Sequence, residues 1–312
     1  MKNTLKPEIS IIIPYYYQLN IVEETISKIY NQSLSLQRFV EVLIVDSNTN
    51  SFKISIEKYK NKSSFLKVNI INTKNSLSRK RNEGINHANA DYLVFLDDDV
   101  IPNKNFIKSF LDISKNNEFF TSCLVDFDEP KNAYLYYRKR KEDSVKWTNF
   151  KAEVVNPIFC TAMSFGANKK LITKNNHFFD ENFKGYGWED VDFFIQAEKK
   201  GIKLNVGNIN VTHRELSNYK KYFKKQILMG SWYEYFLRKH PKYAKKIKIY
   251  ILYKFKNLFK LFLPVFIIFF KLLEILFKFK MPCNFISYYL FEIYFKYANI
   301  LGMLSDPIKY EY

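Results

Sequence analysis

The chain has 312 residues, of which 47% are hydrophobic and 18% aromatic, with only 8 Gly and 9 Pro, so it can bury a large core and is neither disordered nor fibrous. Its net charge of +18 is uneven, because 16 Lys and Arg residues stand against two acids between Tyr219 and Lys280, while the first 218 residues carry +5. The 3 cysteines are far apart and form no C-x-x-C pair, which excludes a disulfide framework and is typical of a reduced, cytosolic protein.

The first hundred residues alternate between apolar runs and stretches with helical spacing. The apolar runs predict four strands, at Glu8–Pro14, Phe39–Asp46, Lys67–Asn72 and Tyr92–Leu96. Helices are predicted between and after them, at Asn20–Asn31, Ile54–Tyr59 and Ser78–His87, with one more opened by Pro102. Strands and helices that alternate in this way form βαβ units, so we expect an α/β fold on a Rossmann-like, mostly parallel sheet flanked by helices.

Between residues 119 and 168 the alternation is less regular. Phe119–Val125 predicts a strand, and a polar, basic connection then extends to about Phe150. Phe159–Asn168 predicts a further strand that ends in a turn.

A loop with two glycines follows. Gly185 and Gly187 flank an aromatic residue, which indicates a tight loop, and the acids from Glu189 onwards are typical of a helix N-terminus. A short strand at Lys203–Val206 comes near the end of this part of the chain. We therefore predict an α/β domain at residues 1–218 and a basic, aromatic α-helical extension at residues 219–312.

Three carboxylates, Asp97, Asp98 and Asp99, directly follow the strand Tyr92–Leu96. They repel one another unless a positive charge lies among them, and oxygen-rich sites of this kind suit Mg²⁺ or Mn²⁺. In an open α/β sheet, ligands bind beyond the carboxyl ends of the strands, which is where these acids are expected. The alternative is a solvated acidic turn near a helix N-terminus, the commoner outcome for an isolated run of Asp.

Five short motifs in chain order resemble those of the family 2 glycosyltransferases with the GT-A fold. Each motif is weak alone, but five in the right order over residues 8–215 are a specific signal. The last one is similar to the acceptor motif and metal histidine of β-galactosyltransferase-like and chondroitin-polymerase-like members. The motifs are Ile12-Ile-Pro14, Val45-Asp46, Arg81-Asn-Glu-Gly84, Phe95–Pro102, and Gly185–Asp192 followed by His213.

The resemblance implies a role for each matching residue. Asp99 and His213 would hold a divalent metal, Mn²⁺ or Mg²⁺, and Asp190 would be the catalytic base. A lone histidine is more often a hydrogen-bonded residue at a strand end, and Asp46 and Arg81 could likewise be a strand-end acid and a solvated cation. The residues implied to bind the nucleotide sugar are Pro14, Asp46, Arg81, Asp97 and Asp98, and those implied to bind the acceptor are Tyr186, Gly187, Trp188 and Glu189.

The resemblance also implies an activity. The chain is expected to be an inverting, metal-dependent hexosyl- or N-acetylhexosaminyltransferase that uses a nucleotide sugar, with UDP-sugar as the first choice. Its acceptor would be a glycan or a lipid-linked glycan during bacterial surface-polysaccharide synthesis. One alternative is a sugar nucleotidyltransferase, which needs a glycine-rich loop after the first strand, whereas Pro14–Gln18 contains no glycine. The other is a non-catalytic, membrane-bound glycan-binding protein, against which the intact acids argue.

The C-terminal extension raises the question of a membrane. Leu258–Phe277 has the length of a transmembrane span, but it contains Lys260, Pro264, Lys271 and Glu274, and each central charge costs about 2.5–3.5 kcal/mol on insertion. Lysines interleaved with aromatic residues are typical of a helix that lies in a membrane interface, and anionic lipid attracts such a helix. We therefore expect a cytoplasmic protein that is peripheral on the inner face of the cell membrane.

Two other roles fit a basic, aromatic extension. A helical subdomain could instead pack on itself or on a second subunit, forming a homo-oligomer with a solvated lysine face. A basic, aromatic segment can also bind nucleic acid, but the sequence contains no recognition motif for one, and such binding leaves the acidic residues unexplained. We expect no nucleic-acid partner.

Overall fold

The computed structural model describes residues 6–47, 64–115, 119–150, 155–214 and 218–306. Within these ranges, eight strands form one sheet in the order β3-β2-β1-β4-β7-β6-β8-β5. The predicted helix at Ile54–Tyr59 lies outside the described residues. The strands are β1 (Ile9–Pro14), β2 (Val40–Asp46), β3 (Leu66–Asn72), β4 (Tyr92–Leu96), β5 (Val100–Pro102), β6 (Phe119–Phe127), β7 (Ser164–Asn168) and β8 (Lys203–His213).

The helices of the described residues fall into two groups. Those that precede residue 200 are α1 (Leu19–Leu36), α2 (Leu77–His87), α3 (Phe106–Ser114), α4 (Ala133–Phe150), α5 (Lys169–Lys174) and α6 (Glu189–Lys199), with a 3₁₀ turn at Pro157–Phe159. Those that follow are α7 (Tyr219–Ser231), α8 (Tyr233–Lys239), α9 (Pro241–Ala244), α10 (Ile249–Lys254), α11 (Lys256–Leu261), α12 (Leu263–Leu276) and α13 (Phe285–Leu304).

The chain forms two compact units. The first comprises Met1–Asp126, Val145–Glu181 and Phe193–Arg214, and it contains the sheet. The second comprises Phe127–Ser144, Asn182–Asp192 and Glu215–Tyr312. Two segments that precede residue 218 are therefore part of the second unit.

The sheet is parallel at one side and antiparallel at the other. β1 pairs in parallel with β2 and β4, and β2 pairs in parallel with β3. β7 is antiparallel to β4 and β6, and β5 is antiparallel to β8. Both β1 and β2 are buried along their whole length, as expected for parallel strands covered on both faces. The predicted α/β class is confirmed, with a mixed sheet in which the first four predicted strands form the parallel part.

The prediction that Pro102 opens a helix is wrong. Pro102 ends β5, and α3 begins only at Phe106, after Asn105 adopts a left-handed backbone with φ of 68°. β5 is the last strand of the sheet order and pairs only with β8 among the described strands. A proline is tolerated there because an edge strand has one side on which its missing N–H has no ladder partner.

Two further predictions of local structure differ from the molecule. The polar connection expected up to Phe150 contains α4, whose Tyr134 and Tyr137 are buried against aromatic residues of α13. Tertiary packing therefore stabilises a helix whose own sequence is only weakly amphipathic. The short strand predicted at Lys203–Val206 continues to His213, because β5 supplies an antiparallel partner for its second half.

The second unit has an aromatic core built on α13. Phe270 stacks on Tyr297 with ring centroids 3.8 Å apart, and Phe277 stacks on Phe291 at 4.3 Å. Leu258–Phe277 is not one helix, because α11 ends at Leu261 and α12 begins with Pro264 in its first turn. In the part of the chain that the structure describes, no helix combines the length and the apolar character needed to cross a membrane.

Gly84 allows α2 to lie directly on β1. A Cβ at this position would be 2.3 Å from Cγ2 of Ile12, a fully buried residue. We expect Gly84→Ala to lower the free energy of unfolding by about 1–3 kcal/mol, since a methyl group inserted into a filled core forces its neighbours to move.

Chemical denaturation of a double-mutant cycle tests the Gly84 contact. Ile12→Ala removes the clashing atom, so the double variant should be more stable than the sum of the two single losses predicts. Additive losses would contradict this contact as the reason for the glycine.

Candidate active site

The carboxyl ends of three parallel strands bring predicted residues to one edge of the first unit's sheet. Pro14 ends β1, Asp46 ends β2, and Asp97 directly follows β4. β1 lies between β2 and β4, so these three ends are adjacent. The edge at which parallel strands end is where open α/β sheets bind ligands.

Asp99 and His213 are brought together from distant parts of the sequence. His213 ends β8 and is paired with Val100, the residue after Asp99. Its Nε2 lies 3.2 Å from Oδ2 of Asp99, and the N–H of Arg214 donates to the carbonyl of Asp99 at 2.8 Å. The imidazole is buried, whereas the carboxylate is 26% exposed. The pair is therefore held by the backbone and open on the carboxylate side.

Asp99 and His213 are the side chains that could hold a divalent cation at this edge. Among the residues that the structure describes, no group of three or more His, Cys, Asp or Glu side chains is arranged around a common metal position. Asp99 and His213 supply one carboxylate oxygen and one imidazole nitrogen. A cation bound with substrate phosphates needs only one or two protein ligands, because phosphate oxygens and water complete its shell. The pair fits that mode.

Arg81 is a buried cation that orients Asp97. Its Nη2 lies 3.0 Å from Oδ1 of Asp97, and its side chain is only 2% exposed. The guanidinium carbon lies 5.2 Å from the ring centroid of Phe179, which packs against it. A buried guanidinium with a fixed plane can pair with a carboxylate and still present donors to a second group.

Asp98 holds the loop after β1. One carboxylate oxygen accepts the backbone N–H of Tyr16 at 2.5 Å and that of Gln18 at 3.4 Å. Burial, with Asp99 as a smaller cause, raises the pKa of Asp98 to about 7. The middle acid of the run is therefore bonded to the protein's own backbone, whereas Asp97 and Asp99 are partly exposed.

Lys80 is a residue of this edge that the sequence analysis did not single out. Its side chain is fully buried, its Nζ donates to the carbonyl of Tyr15 at 2.6 Å, and it lies 3.5 Å from the ring centroid of Tyr16. Burial lowers the pKa of Lys80 to about 8, although Asp46 and Asp98 oppose the shift. The helical spacing of α2 places residue 80 beside its buried face. This is hard to recognise in the sequence, because Lys80 stands between Arg79 and Arg81 in a run of three basic residues.

The motif Gly185–Asp192 lies in the second unit and has an unusual backbone. Gly187 has φ of 100°, and Trp188 has φ of 73°, a conformation rarely adopted by a bulky residue. The indole N–H of Trp188 donates to the carbonyl of Met229 at 2.7 Å, and its ring stacks on Phe236 at 4.7 Å. The ring of half-buried Tyr186 lies 5.2 Å from Nζ of Lys225. The loop is therefore held in shape by α7 and α8.

The two adjacent acids of the motif differ in environment. Glu189 is 3% exposed, and its Oε2 accepts the N–H of Gly187 at 2.9 Å. Asp190 is half-buried, and its Oδ1 accepts the N–H of Val191 at 2.7 Å in the first turn of α6. Neighbouring residues on a helix point about 100° apart. Glu189 therefore shapes the loop, while Asp190 has the more accessible carboxylate.

A buried ion cluster lies two residues further along α6. Asp192 is fully buried, and its Oδ1 lies 2.6 Å from Nε2 of His240 and 2.8 Å from Nζ of Lys239. Phe236 lies between the rings of His240 and Trp188, at centroid distances of 5.5 Å and 4.7 Å. His240 was not predicted from the sequence, because no local pattern indicates that it pairs with Asp192.

The chain matches a protein-family model and is similar in sequence to several known proteins. The family model described as Glycosyl transferase family 2 matches residues 10–172, more than half of the chain. A dolichyl N-acetyl-α-D-glucosaminyl phosphate 3-β-D-2,3-diacetamido-2,3-dideoxy-β-D-glucuronosyltransferase from Methanococcus voltae is 25% identical over 249 residues, 72% of this chain and 72% of that protein. A cholesterol galactosyltransferase from Borreliella burgdorferi is 23% identical over 225 residues, 65% of this chain and 58% of that protein.

The fold also matches a solved structure. The mannosyltransferase PcManGT from Pyrobaculum calidifontis, in complex with GDP-Man and Mn²⁺, superposes with a TM-score of 0.53 at 14% identity. The match covers 75% of this chain and 65% of that one, so this chain spans less than two thirds of the length of PcManGT and of the galactosyltransferase. The fold class predicted from the sequence is confirmed. The chain therefore belongs to glycosyl transferase family 2 and is a glycosyltransferase with the GT-A fold.

Proposed function

We propose that this chain is an inverting, metal-dependent glycosyltransferase that transfers a hexosyl or N-acetylhexosaminyl group from a UDP-sugar to a glycan or lipid-linked acceptor. The observation that carries the proposal is the pairing of Asp99 with His213, 3.2 Å apart at the edge of the sheet where ligands bind. Asp99 belongs to the acidic run after β4, and His213 is contributed by the far end of β8.

The nucleotide would be held by residues at the ends of β1, β2 and β4. The carboxylate of Asp46 would accept an N–H of the base, and Pro14 would shape the wall beside it. Arg81 would hold Asp97 in place for the ribose and contribute positive charge beside the nucleotide. Asp98 would act through the loop that it binds, Tyr16 to Gln18, which follows β1 at the same edge.

The leaving group is a nucleoside diphosphate, whose negative charge grows as the bond to the sugar breaks. Asp99 and His213 would hold a divalent cation, which would supply positive charge that stabilises this product. The role of the two side chains is to fix the position of that charge, which the backbone bond between Arg214 and Asp99 supports. Inversion requires attack from the opposite side of the anomeric carbon.

Asp190 would be the base of that attack. Its carboxylate would take the proton of the acceptor hydroxyl while the hydroxyl oxygen bonds to the anomeric carbon and the diphosphate leaves with the bonding pair. Tyr186 would contact the acceptor sugar, since aromatic rings cover the apolar faces of sugars, while Trp188, which is buried, would shape the acceptor site through the loop. Glu189 and Gly187 would keep the loop in the shape that this requires, through their 2.9 Å hydrogen bond.

A donor panel tests the reaction. The native chain is incubated with Mn²⁺ and UDP- or GDP-sugars, and slow donor hydrolysis without acceptor is measured. We expect one UDP-sugar to be hydrolysed fastest and chelation of the metal to stop the reaction. GDP-mannose is included because PcManGT was solved with GDP-Man. Preference for a GDP-sugar would contradict the choice of uridine, and failure to bind any nucleotide sugar would contradict the whole proposal.

The second unit would place the enzyme on the inner face of the cell membrane, in surface-polysaccharide assembly. Large apolar side chains of α11 and α12 are unusually exposed, among them Leu261 at 73%, Val265 at 64% and Ile268 at 64%. The net charge of +14 between Tyr219 and Lys280 would attract anionic lipid. The relative from Methanococcus voltae is named for a dolichyl N-acetyl-α-D-glucosaminyl phosphate and that from Borreliella burgdorferi for cholesterol, so both names include a lipid.

Vesicle sedimentation tests this membrane contact. Leu261→Gln with Val265→Gln should weaken binding to anionic vesicles at least about tenfold, because a fully buried apolar side chain contributes about 1.5–3 kcal/mol. Leu34→Gln, at an exposed position of α1, is the control and should bind normally. If the double variant binds vesicles normally but dissociates a dimer in sedimentation velocity, the apolar face is an interface between two copies and the membrane proposal is wrong.

A further inference from the structure

A cavity of about 460 Å³ in the second unit is part of neither motif described above. It lies among α8, α9, α10 and α11. Four of the residues that line it are cationic, namely Arg238, Lys245, Lys254 and Lys256, and none of its lining residues is acidic.

The cavity has an excess of positive charge. Among the described residues, Glu234 is the acid that pairs with cations of the cavity. Its carboxylate lies 3.6 Å from Arg238 and 3.2 Å from Lys256. Lys245 and Lys254 have no carboxylate of a described residue within 4 Å. Cations gathered around one concave surface repel one another and raise its positive potential, which favours a bound anion.

One side of the cavity is held by packed aromatic residues. Tyr233 is fully buried, and its hydroxyl donates to the carbonyl of Ala244 at 2.8 Å. The ring of Tyr253 packs on Tyr233 at 5.5 Å, and Nζ of Lys256 lies 4.4 Å from the ring centroid of Tyr253. Lys256 therefore loses little freedom on binding, whereas Lys245 and Lys254 are exposed.

Apolar residues of α10, of α11 and of the junction between them are exposed. Ile251 is 61% exposed, Phe255 47% and Leu258 54%. A free inorganic anion would use the cations of the cavity but would leave these side chains in water. A ligand with a phosphate group and an attached hydrocarbon chain would engage both.

We propose that this cavity binds the phosphate headgroup of a membrane lipid. The proposal rests on the membrane contact suggested above, and it is independent of the donor, the metal and the transfer reaction. It adds recognition of one chemical group to the general attraction between a basic surface and anionic lipid. The lysines of the cavity would donate to the phosphate oxygens while the neighbouring apolar side chains enter the interface.

The test compares lipid headgroups at equal surface charge. One set of phosphatidylcholine vesicles contains phosphatidic acid, and the other contains oleate, an anionic lipid without phosphate, at matched zeta potential. We expect the native chain to bind the phosphatidic acid vesicles at least about tenfold more tightly. Lys245→Gln with Lys254→Gln should remove this preference. Lys220→Gln with Lys224→Gln changes two exposed positions of α7 outside the cavity. This variant loses the same charge but should keep the preference for phosphatidic acid vesicles.

Each remaining outcome has a distinct meaning. Equal native binding to both anionic vesicles, or equal loss of preference in the control variant, would overturn the cavity proposal and leave the membrane contact standing. No binding to either vesicle would contradict the membrane contact as well. Inorganic phosphate and pyrophosphate are added as competitors, and displacement at concentrations equal to those of the accessible lipid would show that a free phosphate is the ligand. Nucleotide binding by all variants, measured in parallel, reports on the transferase site separately.

Discussion

Asp190→Asn is expected to fold normally, to bind UDP and Mn²⁺ normally, and to lose at least about a hundredfold in turnover. The amide keeps the size of the side chain and an oxygen that can accept the N–H of Val191, now 2.7 Å from Oδ1. It cannot take a proton from an acceptor hydroxyl. Thermal unfolding, calorimetry of UDP with Mn²⁺, and initial rates together check the three parts of this expectation.

A helix-stabilising role for Asp190 makes a different prediction. An acid in the first turn of a helix contributes about 0.3–1 kcal/mol through the helix dipole. If that were its only role, Asp190→Asn would lose a little stability and keep its turnover.

Glu189→Gln is the matched control, one residue away in the same turn. Its oxygen accepts the N–H of Gly187, a bond that an amide oxygen can also make. We therefore expect its effect mainly on the KM for acceptor. If Glu189→Gln is inactive while Asp190→Asn keeps near-native turnover, the two roles are reversed.

Asp99→Ala is expected to abolish the part of UDP binding that depends on a divalent cation. The substitution leaves His213 as the remaining protein ligand of the proposed site, and a single imidazole holds a hard cation poorly. Calorimetry of UDP with and without Mn²⁺ measures the difference, and it needs no acceptor and no turnover. His213→Ala should give the same defect, because Nε2 of His213 and Oδ2 of Asp99 lie 3.2 Å apart and would share one ion.

The control for Asp99 is an acid of the same unit outside the site. Asp91 is exposed and pairs with Lys6 at 2.6 Å, so Asp91→Ala removes one negative charge without touching the sheet edge. It should bind UDP and Mn²⁺ as the native chain does. UDP affinity in the native chain that is unchanged by chelation would contradict the metal site, whatever the variants do.

The sequence by itself determined the fold class and the family. Apolar runs such as Ile9–Pro14 and Tyr92–Leu96 are short, buried and separated by helical patterns, so their local periodicity is enough to indicate parallel strands. The order of the motifs along the chain carried the family, and four of the five lie where the local pattern already marks the end of a strand or the start of a helix. Glu189 at the start of α6 is one such case.

The tertiary structure decided the features that depend on partners far away in the chain. Pro102 forms a strand because Val211 lies opposite it, and Tyr137 lies in a helix because Phe295 packs on it. Sequence patterns cannot distinguish a polar connection from a helix of low amphipathicity when the deciding contacts are more than a hundred residues away.

The same limit applies to charged residues. Asp97, Asp98 and Asp99 are identical in the sequence, yet Asp98 binds the backbone of the loop after β1 while Asp99 meets His213. Asp192 and His240 form a buried pair that no local pattern announces. The sequence specifies which side chains can ionise, but burial and the distance to a partner determine what each charge does, and both are set only when the chain has folded.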